Sequence, residues 1–251
     1  MTGAGVRSAV WSESGGLVVS VGGAVQSFIG PVDGETPRFG YLRTMAHLVA
    51  RMLATRAEPV VVHFGGAGMS LPRFVAARYP AVGQIVLEPD AALTELVLAH
   101  APLSSPAIEI VAERGEEWIV GMPDRAIDVL VIDAFDHGRV PDVMLTAKFA
   151  RSIERVLAVG GVVTMNLVDD RQAGFVRHFL EQWAASTRHQ VGVALPEHDH
   201  FGNYVFVASC DLPFVPKVIA AGALRRWLDA SSTRSTMSPE PPTDTLGMSF
   251  G

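Results

Sequence analysis

The stretch 59–90, PVVVHFGGAGMSLPRFVAARYPAVGQIVLEPD, constrains the chain most. Val60 to Phe64 form a short, mostly β-branched and apolar run. Gly65, Gly66 and Gly68 follow at once, and Leu71 to Tyr79 then carries apolar residues at helical spacing. A second apolar run, Ile85 to Leu87, ends in Glu88. Strand, glycine turn, helix, strand, acid is the order of the nucleotide-binding half of an open parallel sheet. The glycines let the backbone approach a ligand, and the acid at the next strand end can accept hydrogen bonds from ribose hydroxyls.

The rest of the chain extends this pattern. Strands are predicted at 6–11, 17–21, 24–29, 60–64, 85–87, 108–111, 127–133, 162–167, 189–195 and 203–209. Helices are predicted at 39–55, 71–79, 90–100 with Asp90 as N-cap, 142–157, 170–185 and 216–228. Gly22-Gly23 between two β-branched runs reads as a hairpin turn. The run IDVLVID at 127–133 is almost continuously apolar, as in a strand covered on both faces. The expected architecture is therefore alternating α/β with a mostly parallel sheet and an antiparallel strand near its edge, preceded by a small β unit. The units are read as 1–38 (N-terminal β-hairpin unit), 39–229 (main domain) and 230–251, a Ser/Thr/Pro-rich tail expected to be disordered.

Composition narrows the function classes. The chain has 251 residues, 49% hydrophobic, with formal net charge −6 and no long basic run, which argues against nucleic-acid binding. A single cysteine, Cys210, excludes an intrachain disulfide and a Cys-rich metal site; it reads as a small core residue in a reducing compartment. With no visible signal peptide and no apolar run of the ~18 residues a spanning helix needs, a cytoplasmic protein with no membrane partner is expected.

In open α/β sheets ligands sit beyond the carboxyl ends of the strands. Asp133 and Asp136 lie there, in IDAFDHGRVPD. Either they cap a solvated loop, or one faces the ligand crevice. His63, alone inside a strand, reads as packing. His198 and His200, beside Glu197 and Asp199, read as a polar loop rather than a metal site. The sequence GGAGMS is neither a nucleophile elbow around Ser70 nor a phosphate loop with Lys-Ser/Thr.

Together these pieces resemble the spermidine synthase (polyamine aminopropyltransferase) family in its divergent bacterial form, over about residues 17–209. The resemblance rests on Gln26 in the hairpin, Phe39-x-Tyr41 opening a helix, the GGAG loop, LEPD with Glu88 and Asp90, Asp133-x-x-Asp136, and Gly202-Asn203 at a late strand. It implies a class I S-adenosylmethionine-dependent methyltransferase-like Rossmann fold: a mostly parallel seven-stranded sheet with an antiparallel edge hairpin, plus a small N-terminal β unit. It implies polyamine biosynthesis: transfer of an aminopropyl group from decarboxylated S-adenosylmethionine to an amine, leaving methylthioadenosine, with no metal. Asp133 would be the catalytic carboxylate, and Tyr41 and Asp136 would position the amine. Gln26, Gly65, Gly66, Gly68, Glu88 and Glu113 would hold the adenosyl sulfonium donor. A homodimer is the expected assembly.

Some positions differ from the family pattern. Gly68 replaces a loop Asp that helps bind the donor's aminopropyl ammonium; Arg38 and Arg43 flank the Phe-x-Tyr; Arg114 stands beside Glu113. An S-adenosylmethionine-dependent methyltransferase, or a non-catalytic nucleoside-binding homologue, stays open as an alternative on the same fold.

Overall fold

The computed structural model describes residues 8–13, 15–31, 34–136, 138–170, 173–194, 202–210 and the backbone of 218–220. The 230–251 tail and the loop carrying Glu197, His198, Asp199 and His200 lie outside the described residues. Strands β1 (Ser8–Glu13), β2 (Gly16–Val21) and β3 (Ala24–Ile29) form a small antiparallel sheet in that order. Gly22 and Gly23 turn β2 into β3 with φ of 60° and 81°, the left-handed pair that a two-residue hairpin needs.

The second sheet contains β4 (Val61–Phe64), β5 (Gln84–Leu87), β6 (Ile108–Val111), β7 (Ile127–Ile132), β8 (Leu157–Val168), β9 (Gln190–Ala194), β10 (Asn203–Ser209) and β11 (Val218–Ala220). Their order is β11-β9-β10-β8-β7-β4-β5-β6. Pairing is parallel from β6 through β5, β4 and β7 to β8, and antiparallel from β8 through β10 and β9 to β11. The expected parallel sheet with its antiparallel edge is present. The predicted helix at 216–228 is corrected within its described part: Val218–Ala220 is a strand paired with β9 at the sheet edge. Neighbouring β9 supplies partners for its backbone there, and tertiary pairing overrides the local pattern.

Six α-helices connect the described strands: α1 (Gly40–Leu53), α2 (Ser70–Arg78), α3 (Ala91–His100), α4 (Gly115–Trp118), α5 (Ala147–Val156) and α6 (Gly174–Ser186). Asp90 caps α3 as expected, its Oδ1 accepting from Leu93 N at 2.9 Å. The helix expected from 142 begins later. Asp142–Leu145 is a 3₁₀ turn, and Thr146 caps α5, accepting from Phe149 N at 3.2 Å.

The alternation along β7 shows why the sheet is buried on both faces. Val129 and Val131 pack with Leu42, Met45 and Val49 of α1 and Val75 of α2. Leu130 and Ile132 pack with Phe149 and Ile153 of α5 and Phe179 and Trp183 of α6. The small sheet covers α3 through Val19, Ile29, Leu93 and Val97. Cys210, expected in the core, is exposed: it lies one residue past the end of β10. Among the described residues no helix is long and apolar enough to cross a membrane.

Candidate active site

The glycine loop after β4 is built by close contact. Gly65 has φ of +89°, and a Cβ there would lie 2.4 Å from the carbonyl oxygen of Asp133. Only glycine meets both conditions, so the loop presses directly against the end of β7. Gly65 N donates to Leu87 O at 2.9 Å. Gly66 N and Ala67 N both donate to Glu88 Oε2, at 2.9 and 3.0 Å, and Asp90 N donates to Glu88 Oε1 at 3.0 Å. Glu88 is only 8% exposed, and its carboxylate is bound to backbone amides on both oxygens.

Gly68 has a different reason to be glycine. A Cβ there would lie 2.6 Å from Ser27 Oγ and 2.8 Å from Ser27 Cβ, on the small sheet. Ser70 Oγ donates to Phe28 O at 2.6 Å, so the 2.8 Å contact between Ser27 and Ser70 has Ser27 as donor. The small sheet is thereby docked on the loop, and a loop acid at this position would collide with it.

Asp133 lies just beyond β7. Tyr41 Oη donates to its Oδ2 at 3.1 Å, and Asn166 Nδ2 donates to its Oδ1 at 3.0 Å. Tyr41 reaches it from the first turn of α1, stacked on Phe39 at 6.1 Å between ring centroids. Asn166 reaches it from β8, because the parallel register sets Ile132 beside Met165, one residue before each. Burial raises the Asp133 carboxyl above the ordinary carboxylate range, and the two hydrogen bonds partly oppose this. Burial, followed by the Asp133 charge and hydrogen bond, holds the Tyr41 hydroxyl well above its ordinary value, so it is a donor. Asn166 is 3% exposed, and its Oδ1 has no partner. Sequence reasoning missed this residue; the signal was an amide inside the apolar run VVTMNLV.

A cavity of about 290 Å³ joins these pieces. Of the predicted residues, Gln26, Tyr41, Gly65, Gly66 and Asp133 line it, together with His63 and Asn166. Gly68 and Glu88 support the loop from behind and are not in the lining. Asp136 is exposed, in a tight turn where its N–H donates to Arg139 O at 2.8 Å. Glu113 is exposed on the segment after β6, and neither it nor Asp136 lines the cavity.

His63 packs inside β4, 2% exposed, with Nε2 2.9 Å from Gln84 Oε1. Gln84 Nε2 donates to Pro72 O at 3.0 Å, so Oε1 is the acceptor and His63 carries its proton on Nε2. Burial lowers its imidazole to about 4, against the smaller effect of the Gln84 hydrogen bond. Outside the cavity lining, Glu154, His189 and Cys210 bring ligand atoms within 4.8 Å of one another. There Trp183 Nε1 donates to His189 Nδ1 at 3.2 Å, which leaves the proton on Nε2 and unsuits that ring to a cation.

No protein-family model and no curated protein matches the chain. Solved structures do. A probable spermidine synthase from Corynebacterium glutamicum superposes with a TM-score of 0.74 at 20% identity, covering 96% of this chain and 95% of that one. A spermidine synthase in complex with the transition state analogue AdoDATO gives 0.62 at 19% identity, over 83% and 71%. Human methyltransferase-like protein 13, in complex with SAH, gives 0.54 at 21% identity, over 82% and 92%. The chain has the fold shared by spermidine synthases and S-adenosylmethionine-dependent methyltransferases.

Proposed function

We propose that this chain transfers an aminopropyl group from decarboxylated S-adenosylmethionine to an amine, releasing methylthioadenosine. The observation that carries the reading is Asp133, held at both oxygens by Tyr41 and Asn166 on the cavity wall. An alkylammonium has a pKa near ~10.4, so freeing its lone pair at neutral pH costs roughly 4–5 kcal/mol. A carboxylate with a raised pKa, aimed by two donors, orients the ammonium and takes its proton. The nitrogen lone pair then forms the bond to the propyl carbon. The carbon–sulfur bond breaks with its electrons going to sulfur, and the sulfonium becomes the neutral thioether of methylthioadenosine. Gln26 and the Gly65–Gly66 backbone supply the wall against which the nucleoside is set.

The loop favours the decarboxylated donor over S-adenosylmethionine itself. Of the five loop N–H groups from Gly65 to Met69, four are committed: those of Gly65, Gly66, Ala67 and Met69, to Leu87 O, Glu88 and Gly66 O. A donor carboxylate would compete for them with Glu88.

The test is amine-dependent release of methylthioadenosine by the purified chain. Release that depends on Asp133 is expected. Methylation of an acceptor by S-adenosylmethionine, with no release from the decarboxylated donor, would favour the methyltransferase reading. Binding of nucleoside without either reaction would favour a non-catalytic homologue.

A further inference from the structure

We propose that His63 Nδ1 accepts a hydrogen bond from the amino group ending the donor's propyl arm, making His63 a positioning residue for that arm. The inference rests on the aminopropyl reading. On the cavity wall Gln26 is assigned to the nucleoside, and Asn203 is already engaged. Asp133 and Asn166 form one cluster, assigned to the attacking amine. Ser27 donates to Ser70, and Ser70 to Phe28 O. Glu88 is bound to backbone amides and is not in the wall. At Gly68 any side chain would strike Ser27, so the glycine loop cannot present an acid from that position.

His63 lines the same cavity, beside Leu42, Leu71, Pro72 and Val131. Its tautomer is fixed from behind: Pro72 O orients the Gln84 amide, and Gln84 Oε1 takes the Nε2 proton. Nδ1 is then a lone-pair acceptor, and the one polar atom of this side chain left for a ligand. A strand residue serving only to fill the core would need no such relay. Val61 on the same strand fills it without one.

Methylthioadenosine lacks the whole aminopropyl arm and the sulfonium charge, so an effect of His63 confined to the decarboxylated donor reports on the arm. His63→Gln keeps a polar group toward Gln84 but removes the Nδ1 acceptor; His63→Asn keeps an acceptor near Nδ1. Calorimetric titration of the full chain should show the donor bound about tenfold or more weaker by His63→Gln. Methylthioadenosine affinity should change by less than about twofold, and His63→Asn should recover part of the donor affinity. Equal losses for both ligands would mean a purely structural role and overturn the inference. So would unchanged donor affinity. If the wild-type chain bound neither ligand, the aminopropyl reading would fail and this inference with it.

Discussion

Glu88 and Asp133 stand at equivalent places, at the carboxyl ends of β5 and β7 in one sheet. Their surroundings differ. Glu88 is saturated by the amides of Gly66, Ala67 and Asp90. Asp133 is held by two side chains, lies on the cavity wall, and is pushed up by burial. A carboxylate bound by backbone shapes a loop. One bound by movable donors and kept uneasy as an anion is suited to exchanging a proton. Position in the fold alone does not separate the two; the identity of the donors does.

The comparison can be broken by exchanging charge for amide at each acid. Asp133→Asn should lower the transfer rate by about 10²–10⁴-fold, measured as methylthioadenosine release. It should not lower stability appreciably, because burial already disfavours the anion. A raised folded pKa means that the folded state holds its proton more tightly than the unfolded state. Asp133 therefore costs stability that builds as pH rises from its unfolded pKa and is complete above its folded pKa, and the asparagine removes that cost. Equal rates in the two proteins would remove Asp133 from the chemistry.

His63 offers the next largest effect. Its folded pKa, about 4, lies below its ordinary value of 6.5, so the unfolded state binds the extra proton between them. Stability contributed by the neutral ring is fully present above pH 6.5 and is lost as pH falls toward 4. Denaturant melts across that window should lose about 3 kcal/mol to this group, and His63→Gln should flatten that part of the curve.

Glu88→Gln should cost about 1–3 kcal/mol by leaving an amide of the loop facing another donor. Its transfer rate should fall only as far as the loop loosens. The smallest effect is expected from Tyr41→Phe. Losing that donor should slow transfer roughly threefold to tenfold. It should also move the acid limb of the pH–rate profile upward, because the Tyr41 hydrogen bond holds the Asp133 pKa down. A profile that did not move would uncouple the two residues.

Much of this was legible in the sequence, for identifiable reasons. Apolar runs such as IDVLVI mark strands buried on both faces, and Gly65 marks a contact that only glycine allows. Asp133 stood out because an apolar strand ended in acid. The partner of Asp133 on β8 was not legible, because it depends on strand register rather than on local spacing. Nor was the fate of Asp136, three residues on: the turn with Arg139 carries it to the surface. Val218–Ala220 joined the sheet through pairing with β9, which no local pattern announces. Glu88 was readable as an acid at the right place, but its commitment to the loop amides appears only in three dimensions.

The central claim is that the cavity takes an adenosyl sulfonium without the donor carboxylate. Isothermal titration of the full chain with decarboxylated S-adenosylmethionine, methylthioadenosine and S-adenosylhomocysteine tests it directly. The account predicts that the decarboxylated donor and methylthioadenosine bind more tightly than the homocysteine compound, by about tenfold or more for the loss of loop amides to its carboxylate. Tighter binding of S-adenosylhomocysteine would contradict it.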